Sequence, residues 1–177
     1  FLIDTHHEDA IIIMDEYNYM VDWARKDACD LMVTEAAASF LAANFAAMQD
    51  SFVDEACYYS AQIWRHGHLD LSRRVTYVKG DYDTKWNGLF KVDESGENLE
   101  TLPPYEAMLA FKELYSLGSQ LETKVSGDAR VYALAATDGK NCAAYYVNFS
   151  DEEVEVTFGS ETKMLAPYEI VLNTWKK

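Results

Sequence analysis

The chain has 177 residues, of which 49% are hydrophobic and 25% charged, a composition typical of a globular protein with one ordinary domain or one domain and a small appendage. Its 15 basic residues stand against 30 acidic ones, so the formal net charge is -15 and the field of the protein repels a phosphate backbone. Nucleic acid and anionic membrane are therefore not expected as partners, and no apolar run approaches the roughly 18 residues of a membrane-spanning helix.

The first third of the chain predicts a strand, a helix and a second strand. Residues 10–14 (AIIIM) form a continuous apolar run without alternation, which is typical of a parallel strand covered on both faces. Residues 31–48 have apolar side chains at helical spacing and many alanines, with Asp27 or Asp30 available as the N-cap. Residues 53–59 (VDEACYY) predict the second strand, reached by a right-handed crossover.

The middle of the chain contains one long connection and one further helix. Residues 62–90 are polar, glycine-containing and aromatic, and we expect a loop with short local elements. Pro103 and Pro104 precede a helical pattern over residues 105–117, and Gly118 stands where a C-capping glycine belongs.

From Arg130 onward the hydrophobic periodicity changes to two. Five short strands are predicted, with the sequences VYALAAT, CAAYYVNFS, EVEVTF, TKMLA and YEIVLNTW. Asp138 and Gly139 mark a hairpin turn between the first two. Short antiparallel strands at this spacing indicate a β-sandwich.

These elements predict an α/β chain in two parts. Residues 1–126 would form the last two β/α units of a (β/α)8 TIM barrel, and residues 127–177 the strands of a C-terminal β-sandwich. Two parallel strands alone leave edges and faces uncovered, whereas barrels of this class need about eight strands and about 250 residues. The chain also begins with Phe1 and not Met. We therefore expect the remaining barrel segments to come from upstream sequence or from another chain.

The end of the first predicted strand carries the residues with the clearest chemical potential. Active sites of such barrels lie at the carboxyl ends of the strands, and here that end reads Asp15, Glu16, Tyr17, Asn18 and Tyr19. A retaining glycosidase needs one carboxylate that attacks the anomeric carbon and a second, about 5 to 5.5 Å away, that protonates the leaving oxygen. Strand alternation does not choose between Asp15 and Glu16, and both could instead begin a solvated loop.

Four segments resemble the C-terminal part of clan A retaining glycoside hydrolases, in particular the branch that contains the beta-xylosidases and alpha-iduronidases. IIIMDEYNYM is similar to the seventh-strand nucleophile motif, in which an apolar strand ends in Glu followed by an aromatic residue and Asn. VDEACYYSAQ, WNGLF and PPYEAMLAFKELYSLG resemble the eighth strand, its loop and the eighth helix. The resemblance implies retaining hydrolysis of O-glycosidic bonds in oligo- or polysaccharides, with Glu16 as nucleophile and Tyr17 and Asn18 as substrate-binding neighbours.

The sequence departs from this family in two respects. The family's general acid/base lies at the end of the fourth barrel strand, which no segment here can supply, so the chain alone is expected to be catalytically incomplete. Glu55 and Glu106 are poor substitutes, because the first is at the start of a strand and the second is in the first turn of a helix. The other departure is a long insertion between Tyr59 and Trp86.

Aromatic residues after the second strand are candidates for contact with a sugar, because apolar sugar faces stack on aromatic rings. Trp64 and Trp86 are predicted to form such a platform, although packing in the core or in a lid would also account for them. Tyr58 and Tyr59 are adjacent, so only one faces the barrel interior, and we favour Tyr59 because it is nearer the catalytic end.

No cofactor or metal is expected. His66, His68 and Asp70 form one short cluster in a charged loop, which favours solvated residues over a metal site. The sequence has no phosphate-binding glycine loop and no G-x-S-x-G nucleophile elbow. The three cysteines are odd in number and have small or apolar neighbours, which predicts buried free thiols and favours the cytoplasm over secretion.

A second function is open at the level of sequence, that of a noncatalytic carbohydrate-binding or accessory module. It would use aromatic residues of the predicted sandwich, namely Tyr145, Tyr146, Tyr168 and Trp175. Adjacent residues of a strand point to opposite faces, however, so Tyr145 and Tyr146 cannot share one flat strip. The surroundings of Glu16 discriminate the two functions: a pocket with aromatic walls supports the enzyme, and an open helix surface supports the module.

Overall fold

Strands and helices alternate in the first half of the protein, and strands alone follow in the second. The computed structural model describes residues 10–19, 31–59, 88–92 and 99–177. In chain order the elements are β1 (Ile13–Tyr17), α1 (Glu35–Gln49), β2 (Glu55–Tyr58), β3 (Phe90–Val92), β4 (Leu99–Thr101), α2 (Pro103–Tyr115), β5 (Ser119–Leu121), β6 (Val131–Thr137), β7 (Asn141–Asn148), β8 (Val154–Phe158), β9 (Glu161–Leu165) and β10 (Ile170–Lys176). One sheet is parallel and three are antiparallel within these ranges. The described residues therefore have a mixed helix and strand architecture, and their two helices with one parallel strand pair do not by themselves show a partial barrel.

β1 and β2 form the predicted strand, helix and strand unit with α1. They pair in parallel, with Ile13 opposite Glu55. β1 runs from Ile13 to Tyr17 and so lies closer to the polar loop than the predicted apolar run over residues 10–14. Ile12, just before β1, donates its N–H to the side-chain carboxylate of Asp54 (2.8 Å) and accepts at its carbonyl from the N–H groups of Asp54 and Glu55 (2.9 and 3.3 Å).

α1 begins later than the sequence predicts. Its first residue is Glu35 and Thr34 occupies the N-cap position. The Thr34 hydroxyl donates to the carbonyl of Leu31 (2.7 Å), which closes a separate turn before the helix. The prediction of Asp27 or Asp30 as its N-cap is therefore wrong, because this turn separates both from the first helical residue.

α2 follows the predicted capping pattern at both ends. Pro103 and Pro104 occupy its first positions, where a missing N–H removes no helical hydrogen bond. Gly118, just past the helix, has a φ of +80°, in the left-handed region that favours glycine. α1 and α2 pack together through the stacked rings of Phe45 and Phe111, whose centroids are 4.4 Å apart.

The five strands predicted from the period-two pattern are confirmed as β6 to β10. A four-stranded antiparallel sheet has the order β10-β7-β6-β5, and β8 and β9 form a separate hairpin. Gly139, at a φ of +90°, turns the chain between β6 and β7, and the Asp138 carboxylate accepts hydrogen bonds from the N–H groups of Lys140 and Asn141 (2.8 and 2.7 Å). Because β5 pairs with β6, the sheet starts at Ser119, upstream of the predicted boundary between the two parts.

The two faces of the four-stranded sheet are covered by different elements. Tyr145 is fully buried toward the helices, where its hydroxyl donates to the carbonyl of Ala42 in α1 (2.8 Å). Its neighbour Tyr146 lies on the opposite face and stacks on Phe158 of the β8–β9 hairpin. The predicted alternation of the two tyrosines is thus confirmed. The described elements form four layers, which are the β1–β2 pair, the two helices, the four-stranded sheet and the hairpin.

Apolar residues from three of these layers build one core between the strands and the helices. Its buried members are Tyr17, Leu41, Ala42, Ala43, Phe45, Ala107, Ala110, Leu114, Leu134, Ala136, Ala143, Tyr145 and Val147. Within the described ranges, no helix has the length and apolar character needed to cross a membrane.

The cysteines agree with prediction only in part. Cys142 is buried and free, as predicted. Cys57 is free but exposed, so the prediction of a buried thiol is wrong for it. The reason is alternation along β2, in which the next residue, Tyr58, takes the position on the helix core. Cys29 lies outside the described residues.

Candidate functional site

The carboxyl end of β1 contains an irregularity that involves both candidate carboxylates. Asp15 and Glu16 together lie opposite the single residue Cys57, because the register shifts between Met14 and Tyr17. An extra residue of this kind is a β-bulge, which redirects side chains and is frequent next to active sites. Met14 and Tyr17 consequently both pack on the helix core, whereas Asp15 and Glu16 are both exposed.

Tyr17 lies on the helix side of this strand end. Its ring meets that of Tyr58 edge to face, with centroids 5.7 Å apart. Burial, with a smaller contribution from nearby Cys57, raises the pKa of Tyr17 to about 12, and burial also raises the pKa of Tyr58. Both phenols are therefore neutral near pH 7 and serve here in packing, so direct contact of Tyr17 with substrate stays a prediction.

Asn18 connects the ends of the two parallel strands. Its side-chain N–H donates to the carbonyl of Tyr59, and its side-chain oxygen accepts from the N–H of Tyr19 (2.6 Å) and from the Tyr58 hydroxyl (3.4 Å). The N–H of Tyr59 in turn donates to the carbonyl of Tyr17 (2.9 Å). Both ends of the Asn18 amide are thus engaged within the protein, and the arrangement favours a positioning role for Asn18 beside Glu16.

Tyr59 lies just past the end of β2, half-buried and outside the core. Contact of Tyr59 with the sugar stays a prediction. Trp64 and Trp86 lie outside the described residues, so the aromatic platform stays a prediction.

The two carboxylates set aside by the sequence have the predicted positions. Glu55 is the first residue of β2 and pairs with Ile13, at the opposite end of β1 from Glu16. Glu106 is exposed in the first turn of α2. Neither lies at the strand end that carries Glu16.

An aromatic cluster beside the strand end was not foreseen from the sequence. Tyr19 contacts Phe40 of α1 and Phe149, the residue after β7, with ring centroids 5.3 and 6.3 Å apart, and Phe40 and Phe149 are 6.0 Å from each other. Phe149 is 130 positions from Tyr19, and no periodicity links residues so distant. The sequence indicated only that Phe149 belongs to the predicted strand CAAYYVNFS.

No metal cluster coincides with the strand end in the part of the chain that the structure describes. No three His, Cys, Asp or Glu side chains are grouped there so as to hold a metal ion, and His66, His68 and Asp70 lie outside it. Two cavities of about 430 and 460 Å³ lie against the four-stranded sheet, and neither is lined by β1 or β2. Glu16 is exposed at its strand end, and a pocket with aromatic walls around it stays a prediction.

No protein-family model and no curated protein matches the sequence. Solved structures with a similar fold include a glucosidase from Croceicoccus marinus, with a TM-score of 0.55 and 19% identity over 94% of this chain and 33% of that chain. An endo-beta1,6-glucanase has a TM-score of 0.57 and 13% identity over 99% of this chain and 38% of that chain. Both are glycosidases, and this chain spans only about a third of their length. Identities this low show likeness of fold alone.

Proposed function

We propose that this chain is the part of a retaining glycoside hydrolase that carries the nucleophile, Glu16. The observation that carries the proposal is the exposed pair of carboxylates in the bulge at the carboxyl end of β1, on the side not covered by the helices. The strand end is the position at which parallel α/β barrels carry their chemistry. Likeness of fold to two glycosidases supports the same class.

In the proposed reaction, the Glu16 carboxylate attacks the anomeric carbon and the bond from that carbon to the leaving oxygen breaks. A second carboxyl group, about 5 to 5.5 Å away, gives its proton to the leaving oxygen. That group then removes a proton from water, whose oxygen displaces Glu16, and the second inversion restores the original anomeric configuration. The original proton of the acid leaves with the alcohol, a proton from water replaces it, and the Glu16 carboxylate is regenerated.

The proposal includes a proton donor on barrel segments beyond these 177 residues, in the same polypeptide or in another chain. Support comes from the length of the similar glycosidases, of which this chain matches about a third. Support also comes from Ile11, which precedes β1, and Ile13, the first residue of β1, which are 66% and 51% exposed. Additional parallel strands of a (β/α)8 barrel would cover such residues. In this arrangement β1 and β2 would be the seventh and eighth barrel strands, and β5 to β10 would belong to a C-terminal sandwich.

The substrate would be an oligo- or polysaccharide, bound by groups around the strand end. We propose that Asn18 holds the bulge in place, that Tyr59 faces the sugar, and that Tyr17 supports Glu16 from the helix side. Trp64 and Trp86 are proposed as stacking platforms. Assignment to the beta-xylosidase and alpha-iduronidase branch rests on the short motif around Glu16.

The alternative of a noncatalytic carbohydrate-binding module has less support. Tyr145 is fully buried, and Tyr146 is 7% exposed and stacked on Phe158. Neither ring is free to stack on a sugar at the surface.

Covalent labelling tests the proposal directly. The active protein is incubated with a panel of aryl 2-deoxy-2-fluoro glycosides, and intact mass and peptide mapping follow the label. One sugar per chain, attached to Glu16, is the expected result. A label on Asp15 would reassign the nucleophile, and an inverted anomeric product detected by NMR would contradict the covalent mechanism.

A further inference from the structure

A loop of the C-terminal sheet reaches the segment that follows Glu16. Phe149, in the connection between β7 and β8, contacts Tyr19 edge to face and also contacts Phe40 of α1. Tyr19 itself is half-buried and lies three residues after Glu16. The end of the candidate catalytic strand is thus packed against a residue of a different sheet.

Tyr168, in the connection between β9 and β10, is joined to the loop that carries Phe149. Burial, the neighbouring Asp151 carboxylate and the Tyr19 hydroxyl raise the pKa of Tyr168, in that order of importance. The N–H of Tyr168 donates to the carbonyl of Ser150 (3.1 Å), so the two loops are also joined to each other.

The backbone of Tyr168 is held in an unfavourable conformation. Its φ is +61°, in the left-handed region, which residues with a side chain rarely adopt. The surrounding loop is fixed by buried Asn148, whose side-chain N–H donates to the carbonyl of Ala166 (3.0 Å), and by Glu169, whose N–H donates to the same carbonyl (3.1 Å). Strain of this kind persists where the surroundings enforce it and is concentrated near functional sites.

We propose that Phe149 and Tyr168 are positioning residues for the candidate nucleophile. Phe149 holds Tyr19 by direct ring contact, and Tyr168 holds the loop that carries Phe149. The inference rests on the proposed function and adds to it a role for the C-terminal sheet, which the strand pattern alone would assign to stability.

The path from Phe149 to Glu16 is short, because Phe149 contacts Tyr19, which lies three residues after Glu16. Tyr19 donates its N–H to the side-chain oxygen of Asn18, and Asn18 binds the carbonyl of Tyr59 at the end of β2. A displacement of the Tyr19 ring would therefore disturb the hydrogen bonds of Asn18, which fix the bulge that contains Glu16. Misplacement of a catalytic group by about 1 Å can reduce a rate about 100-fold, so this path is sufficient to affect turnover.

The substitutions are chosen so that a positioning role of Phe149 and Tyr168 can be distinguished from a purely structural one. Tyr168→Gly removes the ring while placing at this position the residue that adopts a positive φ most readily, so the backbone of the loop is not penalised. Phe149→Leu removes the ring but keeps an apolar side chain, and Phe149→Tyr keeps the ring. Phe158→Leu is the matched control, because Phe158 belongs to the hairpin on the opposite face of the same sheet.

The experiment combines steady-state kinetics, hydrogen exchange and thermal unfolding on the full active protein. For Tyr168→Gly and Phe149→Leu, kcat on an aryl glycoside should fall about 10- to 100-fold with KM within about twofold. Exchange of peptides covering residues 13–19 should become faster, while the melting temperature of Tyr168→Gly is unchanged or higher. Phe149→Tyr and Phe158→Leu should retain kcat within about threefold.

The outcomes separate this inference from the proposed function. Unchanged kcat and unchanged exchange in both variants, in a protein whose Glu16 is labelled by the fluoro-glycoside, would overturn the positioning role and leave the proposed function intact. If the protein hydrolyses no glycoside but the variants show faster exchange over residues 13–19, the two residues do hold the end of β1, and the proposed function is refuted. Loss of kcat in parallel with a lower melting temperature in both variants would reduce Phe149 and Tyr168 to structural residues.

Discussion

The β1–β2 pair and the four-stranded sheet both pack on the helices but are covered very differently on their other faces. The four-stranded sheet has the helices on one face and the β8–β9 hairpin on the other. The β1–β2 pair has the helices on one face, whereas Ile13 and Glu16 on β1 are exposed. The four-stranded sheet is thus covered on both faces by described elements. The β1–β2 pair has an exposed side, and the candidate carboxylates lie on that side.

This difference indicates where stability and chemistry are separated in the molecule. In β7, the run from Cys142 to Asn148 is buried throughout, so most substitutions there should act on folding. At the end of β1, Asp15 and Glu16 are exposed, so substitutions there should leave packing intact and act on activity. The ring of Tyr19, just after β1, contacts Phe149, just after β7, and so connects the two regions.

The largest expected effect is on activity, at the open strand end. Glu16→Gln keeps the size of the side chain but removes the nucleophilic charge, so kcat/KM should fall at least about 1,000-fold, roughly 4 kcal/mol in barrier, with the melting temperature unchanged. Asp15→Asn, the other residue of the bulge, is the matched control and should cost less than about tenfold. Steady-state hydrolysis of an activated glycoside measures both, and equal losses in the two variants would contradict the distinction between them.

A smaller effect, on stability, is expected where the closed sheet meets α1. Tyr145→Phe removes a buried hydrogen bond to the carbonyl of Ala42, which keeps its bond within α1, so the free energy of unfolding should fall by about 0.5 to 1.5 kcal/mol. Tyr146→Phe is the control on the opposite face, because its hydroxyl has a long contact of 3.4 Å with Asn173. Urea unfolding should show Tyr145→Phe to be less stable than Tyr146→Phe by at least about 0.5 kcal/mol, and equal stabilities would show that the bond to Ala42 contributes little.

The smallest effect concerns alkaline pH and the helix side of β1. Tyr17 has its pKa raised to about 12 in the folded protein, above the ordinary value of 10.0, so the native state holds this proton more tightly than the unfolded chain. Its contribution to stability is fully present below about pH 10 and is lost as the pH rises toward 12. Tyr17→Phe should flatten this part of the stability curve by at most about 2 kcal/mol.

Unfolding in urea at several pH values between 9 and 12 measures the effect of Tyr17→Phe. The control is Tyr115→Phe, since the Tyr115 side chain is 77% exposed and this change should leave the curve as in the unmodified protein. A Tyr17→Phe curve that parallels the unmodified one would show that burial of this phenol does not contribute to alkaline unfolding.

Local patterns in the sequence predict most of the described elements. The period of two after Arg130 gives β6 to β10, and the proline pair with Gly118 gives both ends of α2, because these signals depend on residues adjacent in the chain. The start of α1 was missed, since Thr34 competes for the carbonyl of Leu31 within a preceding turn. Hydrogen bonds of this kind between near neighbours are decided by small differences in energy that composition does not reveal.

The candidate site could be predicted only as a strand end with a carboxylate. The bulge at Asp15 and Glu16 depends on the register with β2, and the ring contact between Tyr19 and Phe149 joins distant parts of the chain. The exposed thiol of Cys57 follows from which face of β2 the helices cover, which is again a property of tertiary packing. Long-range contacts of this type have no signature in a local pattern of apolar residues.

The pairing register of the two sheets also bears on the order in which the chain folds. β6 and β7 are joined by a tight turn, so their contacts require closure of a loop of only a few residues. β1 and β2 pair Ile13 with Glu55, 42 positions apart, and the entropy of closing this long loop must be met before any strand contact forms. Parallel pairing across such a separation is slow compared with hairpin formation. During synthesis from the N-terminus, β1 is therefore made before β2 and pairs with it late, and until then its apolar residues Met14 and Tyr17 depend on α1 for cover.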